Sequence, residues 1–403
     1  MTHAKSLELV EPALPQAEAR DVSFADHGGK KSERFFHLDA LRAGLMFWGI
    51  LVHASTVENS PVFRAIAEVS GLVRMEAFFV ISGFLAYMLL KKYGAKVTVK
   101  KRLLAIGLPF VTALVLLNPA TNYIVYCYHN TPIPFMDYLA GKGSSHPKGP
   151  MNWHLHLWFL AALFIYSLLA PVIGRAVDGV MRASYDRIPR PWTLGKLAPV
   201  VPGLKFLALC LMVCGGCVGA RVAFESIKPL LHPEAHYVVR SIGNFLPYYA
   251  LGMVLFASIE LRNVFSKARW FQTLLSCVLL YLSHRASGEN PGKLGEVAIL
   301  AAQTYTALCL SSLLFWLAAK LVRKENPWAR SLSDAAYTVY LFHFLSLYLF
   351  ATLLRPWIHA TIPLLVAISI ATFATTLCFH RFVIWRVPIL ELLFNGKPLR
   401  PSR

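Results

Sequence analysis

The stretch that most constrains this chain is His37 to Thr56, HLDALRAGLMFWGILVHAST. It holds about 20 residues, the length an apolar helix needs to cross a bilayer. Yet it carries Asp39 and Arg42 near one end and His53 near the other. On a helix turning about 100° per residue, Arg42 and His53 return to within about 20° of one face and stand roughly 16 Å apart along the axis. Ionisable groups in a spanning helix cost a few kcal/mol each, so they turn towards protein or a water-filled cavity. Two readings follow from the residues alone. Either Arg42 pairs with Asp39 and snorkels while His53 is interfacial, or the face is a polar channel anchored at Arg42 and ending at His53.

The rest of the chain is apolar enough to surround such a channel. Of 403 residues, 56% are hydrophobic and only 15% charged, which specifies a polytopic membrane protein. Apolar segments can be drawn at roughly 38–56, 72–90, 103–123, 153–173, 204–224, 242–259, 270–283, 295–319, 335–354 and 363–382. The expected fold is therefore all-α, with about ten transmembrane helices. A formal net charge of +19 would suggest nucleic acid in a soluble protein, but here the basic residues sort into the connections and report topology. With a cytoplasmic N-terminus, and with Arg74 and Arg381 at segment ends counted with the sides they adjoin, 28 of the 40 Lys and Arg fall on the cytoplasmic side and nine outside, leaving Arg42, Lys205 and Arg221 within segments. Both termini are expected in the cytoplasm, and no nucleic-acid partner is implied.

Residues 1–34 lack an apolar h-region and a small-residue cleavage site, so the first helix is expected to remain as an uncleaved anchor. The domain plan is a polar cytoplasmic tail over 1–36, a transmembrane domain over 37–383 and a basic cytoplasmic tail over 384–403. Six of the seven cysteines sit in apolar runs, and Cys127 stands alone in a loop, which is not a disulfide framework. Cys210, Cys214 and Cys217 read as helix packing rather than metal ligands. No metal-ligand pattern or phosphate-binding glycine loop stands out.

Orientation then fixes depth. Arg74 and Glu76, early in the second segment, fall near the level of His53. So do His154, His156 and Trp158 at the start of the fourth. Each has a structural explanation alone, as an ion pair or an interfacial aromatic; together they outline a site. Ser82 and Gly83 in the second segment suit close approach of another backbone or a ligand. The loop over 124–152, rich in Tyr, Asn, Pro and Gly, is either an ordinary connection or a surface for a polar acceptor. In the ninth segment Tyr340 and His343 are i,i+3 neighbours that can share a hydrogen-bonded network, with His343 near mid-membrane.

Five local patterns occur in order: Arg42 and His53 with ten residues between them, FFVISGF, the Lys100, Lys101, Arg102 cluster followed by Pro109, HLWFL, and YTVYLFH. Together they resemble the acyltransferase-3 membrane family over nearly all ten segments. More narrowly, LDALRAGLMFWGILVHAS and WHLHLWFL are similar to the branch that succinylates osmoregulated periplasmic glucans. Glu76 stands where Pro is more usual in that family, which leaves its role open. The resemblance implies a multi-pass protein of the bacterial inner membrane. Its donor would be cytoplasmic acyl-CoA, as succinyl-CoA, with no tightly bound cofactor, and its acceptor a glucan or other carbohydrate hydroxyl outside.

On that basis Lys100, Lys101 and Arg102 are expected to meet the CoA phosphates, and Arg42 to guide the donor's extended arm. His53 is the expected general base, with Glu76 orienting it as in a triad. Arg74 or His156 would support the oxyanion or hold the succinyl carboxylate. His154, Trp158, Tyr340 and His343 complete the expected substrate site. Direct transfer and an acyl-histidine intermediate both remain open. The alternatives are acetyl in place of succinyl, or a transporter or flippase; against the latter, no internal repeat with paired interrupted helices is visible.

Overall fold

The computed structural model describes residues 35–143, 146–185, 200–288, 292–324 and 326–398. The N-terminal tail up to Arg34 and the RIPRPW turn lie outside the described residues. Every one of the ten apolar segments is helical, and no strand occurs among the described residues. Six helical runs are long and apolar enough to cross a membrane: Pro61–His129, Leu155–Ala183, Val201–Leu230, Lys293–Leu321, Pro327–Leu354 and Thr361–Ile384.

Helix α1 (Phe36–Ala54) turns through a short connection into α2 (Pro61–Gly71). This second helix exposes Val62 and Val69 and buries Phe63. Helix α3 (Arg74–Arg102) runs on through the basic stretch expected as a connection, breaking only at Gly94, whose φ of 75° needs glycine. The chain continues through α4 (Leu108–Thr112) and α5 (Asn118–His129). Five-residue π-helical turns precede each of them. A short α6 (Phe135–Leu139) leads to α7 (Trp158–Tyr185), α8 (Val201–Ile227) and α9 (Pro233–Ala257). Next come α10 (Ile259–Phe265), α11 (Trp270–Ser287) and α12 (Lys293–Leu321). The chain closes with α13 (Pro327–Leu354), α14 (Thr361–Phe379) and α15 (Pro388–Asn395).

The bundle is built on α3 and α9. A Cβ on Gly83 would fall 1.9 Å from the Tyr249 carbonyl oxygen, and one on Gly252 would fall 2.0 Å from that of Val80. Each helix thus presents its glycine to the other's backbone, the close crossing that small residues permit without lipid having to drive it. Phe79 fills the crossing: it stacks on Phe245 at 4.9 Å and meets Phe159 and Tyr166 edge-on. Cys210 and Cys217 are buried here as small apolar groups, with the Cys217 thiol directed at the Asn244 carbonyl at 3.7 Å.

A second buried cluster joins the far end of α1 to α5, α13 and α14 through Ile50, Ala54, Phe344, Leu347 and Ile368. Part of the expected C-terminal tail is also built into the fold. Helix α15 buries Glu391 and Phe394, and Gly396, at a left-handed φ of 61°, sits against the Leu104 carbonyl. A Glu391–Lys397 ion pair at 3.0 Å closes its end.

Candidate active site

Three imidazoles meet where the two clusters join. The ring centroids of His53 and His343 are 5.1 Å apart, those of His156 and His343 4.9 Å, and those of His53 and His156 6.3 Å. They come from α1, from the turn before α7 and from α13. His156 reaches the cluster because Leu155–Leu157 is a tight 3-10 turn, with Leu155 at a φ of 43°. A non-glycine residue there costs of order 1–3 kcal/mol, and the strain is concentrated beside the site.

Neighbouring groups hold these rings. The Tyr340 hydroxyl donates to the His156 carbonyl at 2.6 Å, and His343 Nδ1 lies 2.7 Å from the Tyr340 carbonyl. Phe344 stacks face to face on His156 at 5.3 Å. The Thr56 hydroxyl caps the His53 carbonyl at 2.7 Å, while the Tyr348 hydroxyl donates to the Thr56 carbonyl at 3.0 Å and lies 3.2 Å from His129 Nε2. The end of α1 that carries His53 is therefore tied to α5 and α13.

Beside the cluster lies a cavity of about 310 Å³, lined by His53, Arg74, Glu76, His156, Trp158 and Tyr340 among others. Arg74 is held by its Nε bond to Ser70 at 2.8 Å, which leaves its terminal nitrogens directed elsewhere. Both ring nitrogens of His156, Nε2 of His343 and Oε2 of Glu76 are buried without a hydrogen-bond partner. Unpartnered buried polar atoms cost roughly 1–3 kcal/mol each and are rare in native interiors. Three of the four, on His156 and Glu76, belong to the lining of this one cavity and mark a place where a ligand's polar atoms fit.

The structure brings together six of the residues singled out in the sequence around this cavity, with His343 directly behind His53 and His156. His154 is not brought in. It does not line the cavity but stacks at 5.3 Å on Tyr237, which does, with Nδ1 on the Leu155 carbonyl. Residues i and i+2 do not share a helical face.

Glu76 lines the cavity but makes no hydrogen bond to His53 among the described residues. The neighbours of His53 are imidazoles rather than a carboxylate. His343 sits near the middle of α13, level with His53. Its contact with Tyr340 goes through that residue's carbonyl, not the phenol.

Arg42 lies away from the cavity, 3.6 Å from Asp39 and donating to Ser333 at 3.3 Å. The basic cluster at the end of α3 is divided. Lys100 is exposed and Lys101 sits 3.5 Å over the Tyr93 ring, while Arg102 is buried with Nε on Ser167 at 3.0 Å. Arg102 is therefore a packing residue, turned inward because the helix places it a turn below the buried Thr98. Sequence reading missed Ser70, Tyr237 and Phe344; only Phe344, beside His343, carried a local signal.

An acyltransferase domain matches residues 35–381. The chain belongs to the acyltransferase-3 family. The match takes in α1 through α14, and so every histidine of the cluster. Among individual proteins, glucans biosynthesis protein C of Escherichia coli strain K12 is 25% identical over 396 residues, covering 91% of this chain and 96% of its own length. The proteins of the same name from strains 536 and EC4115 align equally well. No solved structure matches. Membership makes the chain a membrane acyltransferase.

Proposed function

We propose that this protein moves a succinyl group from cytoplasmic succinyl-CoA to a hydroxyl of a periplasmic glucan. In this reading it crosses the bacterial inner membrane ten times, with both termini in the cytoplasm. The observation that carries the chemistry is the cavity lined by His53, His156, Arg74 and Glu76, in which both His156 ring nitrogens and Oε2 of Glu76 are buried without protein partners. The basic residues of the cytoplasmic connections support the orientation, and the likeness to glucans biosynthesis protein C supports the acceptor.

His53 acts as the general base, a task imidazole suits near neutral pH. It takes the proton of the acceptor hydroxyl as that oxygen attacks the thioester carbonyl. The new C–O bond forms, and the oxyanion meets the free nitrogens of Arg74. As the C–S bond breaks, the proton passes from His53 to the departing CoA sulfur, so that ester and free CoA thiol leave.

His343 and His156 position the base through ring contact. From Arg42, the groups Ser333, Tyr337 and Tyr340 follow one face of α13 towards the cluster. The Tyr337 hydroxyl on that face is buried and unpartnered, which suits passage of the donor's amide-bearing arm. Lys100 and Lys101 are left for the CoA phosphates.

The test is transfer of labelled succinyl from succinyl-CoA to periplasmic glucan by the purified protein in nanodiscs. Wild type should form labelled ester and His53→Ala should not. Equal ester from both removes His53 as base, and ester from acetyl-CoA alone changes the acyl group.

A further inference from the structure

The histidine cavity is the first of three that follow one another through the bundle. It shares Gly71, Glu76 and Phe245 with a second cavity of about 180 Å³ between α3, α8, α9 and α12. That cavity shares Asn244, Leu300 and Gln303 with a third of about 300 Å³, lined also by Arg221, Arg240 and Glu296. Glu76 stands at the first junction, with its Oε2 buried and unpartnered. Asn244 and Gln303 stand at the second. The third cavity lies towards the ends of α8 and α9 that the short connection over 228–232 joins.

We infer that this passage binds the acceptor, and that it selects a neutral polyhydroxylated chain several sugar units long. The inference rests on the acyl transfer proposed above and deepens it. The lining has the chemistry of hydroxyl recognition. The amides of Asn244 and Gln303 carry both donors and acceptors and make no side-chain hydrogen bond among the described residues, while the Tyr248 ring lines the same space. Charge along it is nearly balanced, since Arg221 stands 3.6 Å from both Glu225 and Glu296.

The donor's CoA diphosphate is left to the exposed Lys100 and Lys101 at the far end of α3. Glu76 accepts a hydrogen bond from the acceptor at the last turn before the histidines, and so directs one hydroxyl towards His53. A carboxylate that makes no bond to the base thereby gains a partner on the substrate.

The experiment measures glucan-oligosaccharide binding, without donor, by the full chain in nanodiscs, alongside transfer as a function of glucan concentration. Gln303→Leu with Asn244→Leu should weaken binding and raise the glucan KM about tenfold, the loss expected for roughly 1.4 kcal/mol of hydrogen bonding, with the donor KM unmoved. Gln303→Trp, which fills the junction, should abolish binding of oligosaccharides. Unaltered thermal melting shows that the variants fold. Wild type that binds glucan but forms no ester would sink the succinyl-transfer reading and leave the passage standing. Wild type that forms ester while all three substitutions leave glucan binding and KM unchanged overturns the passage, as does failure of wild type to bind glucan.

Discussion

The two polar regions of this bundle treat their charges in opposite ways. At the end of α3 the cations are already engaged: Lys91 with Asp178 at 2.7 Å, Lys101 over Tyr93, Arg102 with Ser167. At the histidine cavity both ring nitrogens of His156 and Oε2 of Glu76 are buried without protein partners. Burial without partners is the costly state; single instances occur elsewhere, Thr98 Oγ1 near the end of α3 among them, and it is their concentration at one cavity that suits a substrate's polar atoms. The pairs made by Lys91 and Arg102 at the other region follow from folding alone.

Substitutions can break that comparison. The largest effect is expected from His53→Ala, which should lower transfer by roughly 10²–10⁴-fold with melting little changed. A loss under threefold would move the base to His156 or His343. The two histidines near the start of α7 give a sharper contrast: His156→Phe should cost about 10–100-fold in kcat through loss of the positioning contact, and His154→Phe less than threefold, read in one transfer assay. Equal losses would mean that the tight turn does not separate them as described.

At the other region, Arg102→Ala should lower stability by about 1 kcal/mol through the lost hydrogen bond to Ser167, whose hydroxyl keeps its bond to the Leu163 carbonyl at 2.6 Å, whereas Lys100→Ala should leave melting alone and raise the donor KM a few-fold. A donor KM that rises in Arg102→Ala without loss of stability would return Arg102 to the phosphate site. Smallest is Glu58→Gln, which removes the partly exposed pair with Arg355 at 3.0 Å. Such pairs contribute about 0–1 kcal/mol, and denaturation monitored by helical signal should barely shift.

Much of this was legible before any coordinates. Helical segments follow from apolar runs of membrane length, and the pairing of Arg42 with His53 on one face follows from helical period; both are local properties of the chain. The reading that Gly83 admits a neighbouring backbone is met by Tyr249. Less legible was anything that depends on one helix's register against another. Glu76 and His53 lie at one depth, but depth leaves rotation about the axis free, and Glu76 lines the cavity shared with His53 without bonding to it while also bordering α8, α9 and α12. His154 and His156 were grouped for the same reason and part for the same reason.

The sequence by itself determined the helices, the family and the sorting of basic residues, because length, hydropathy and periodicity act within a segment. Only the tertiary structure decided that His53, His156 and His343, each more than about a hundred residues from the next, form one cluster, and that Glu76 lines both the cavity beside it and the neighbouring one that Gln303 lines. Those outcomes come from the glycine crossing of α3 and α9 and the strained turn at Leu155, where steric fit between backbones fixes rotations that no single segment specifies.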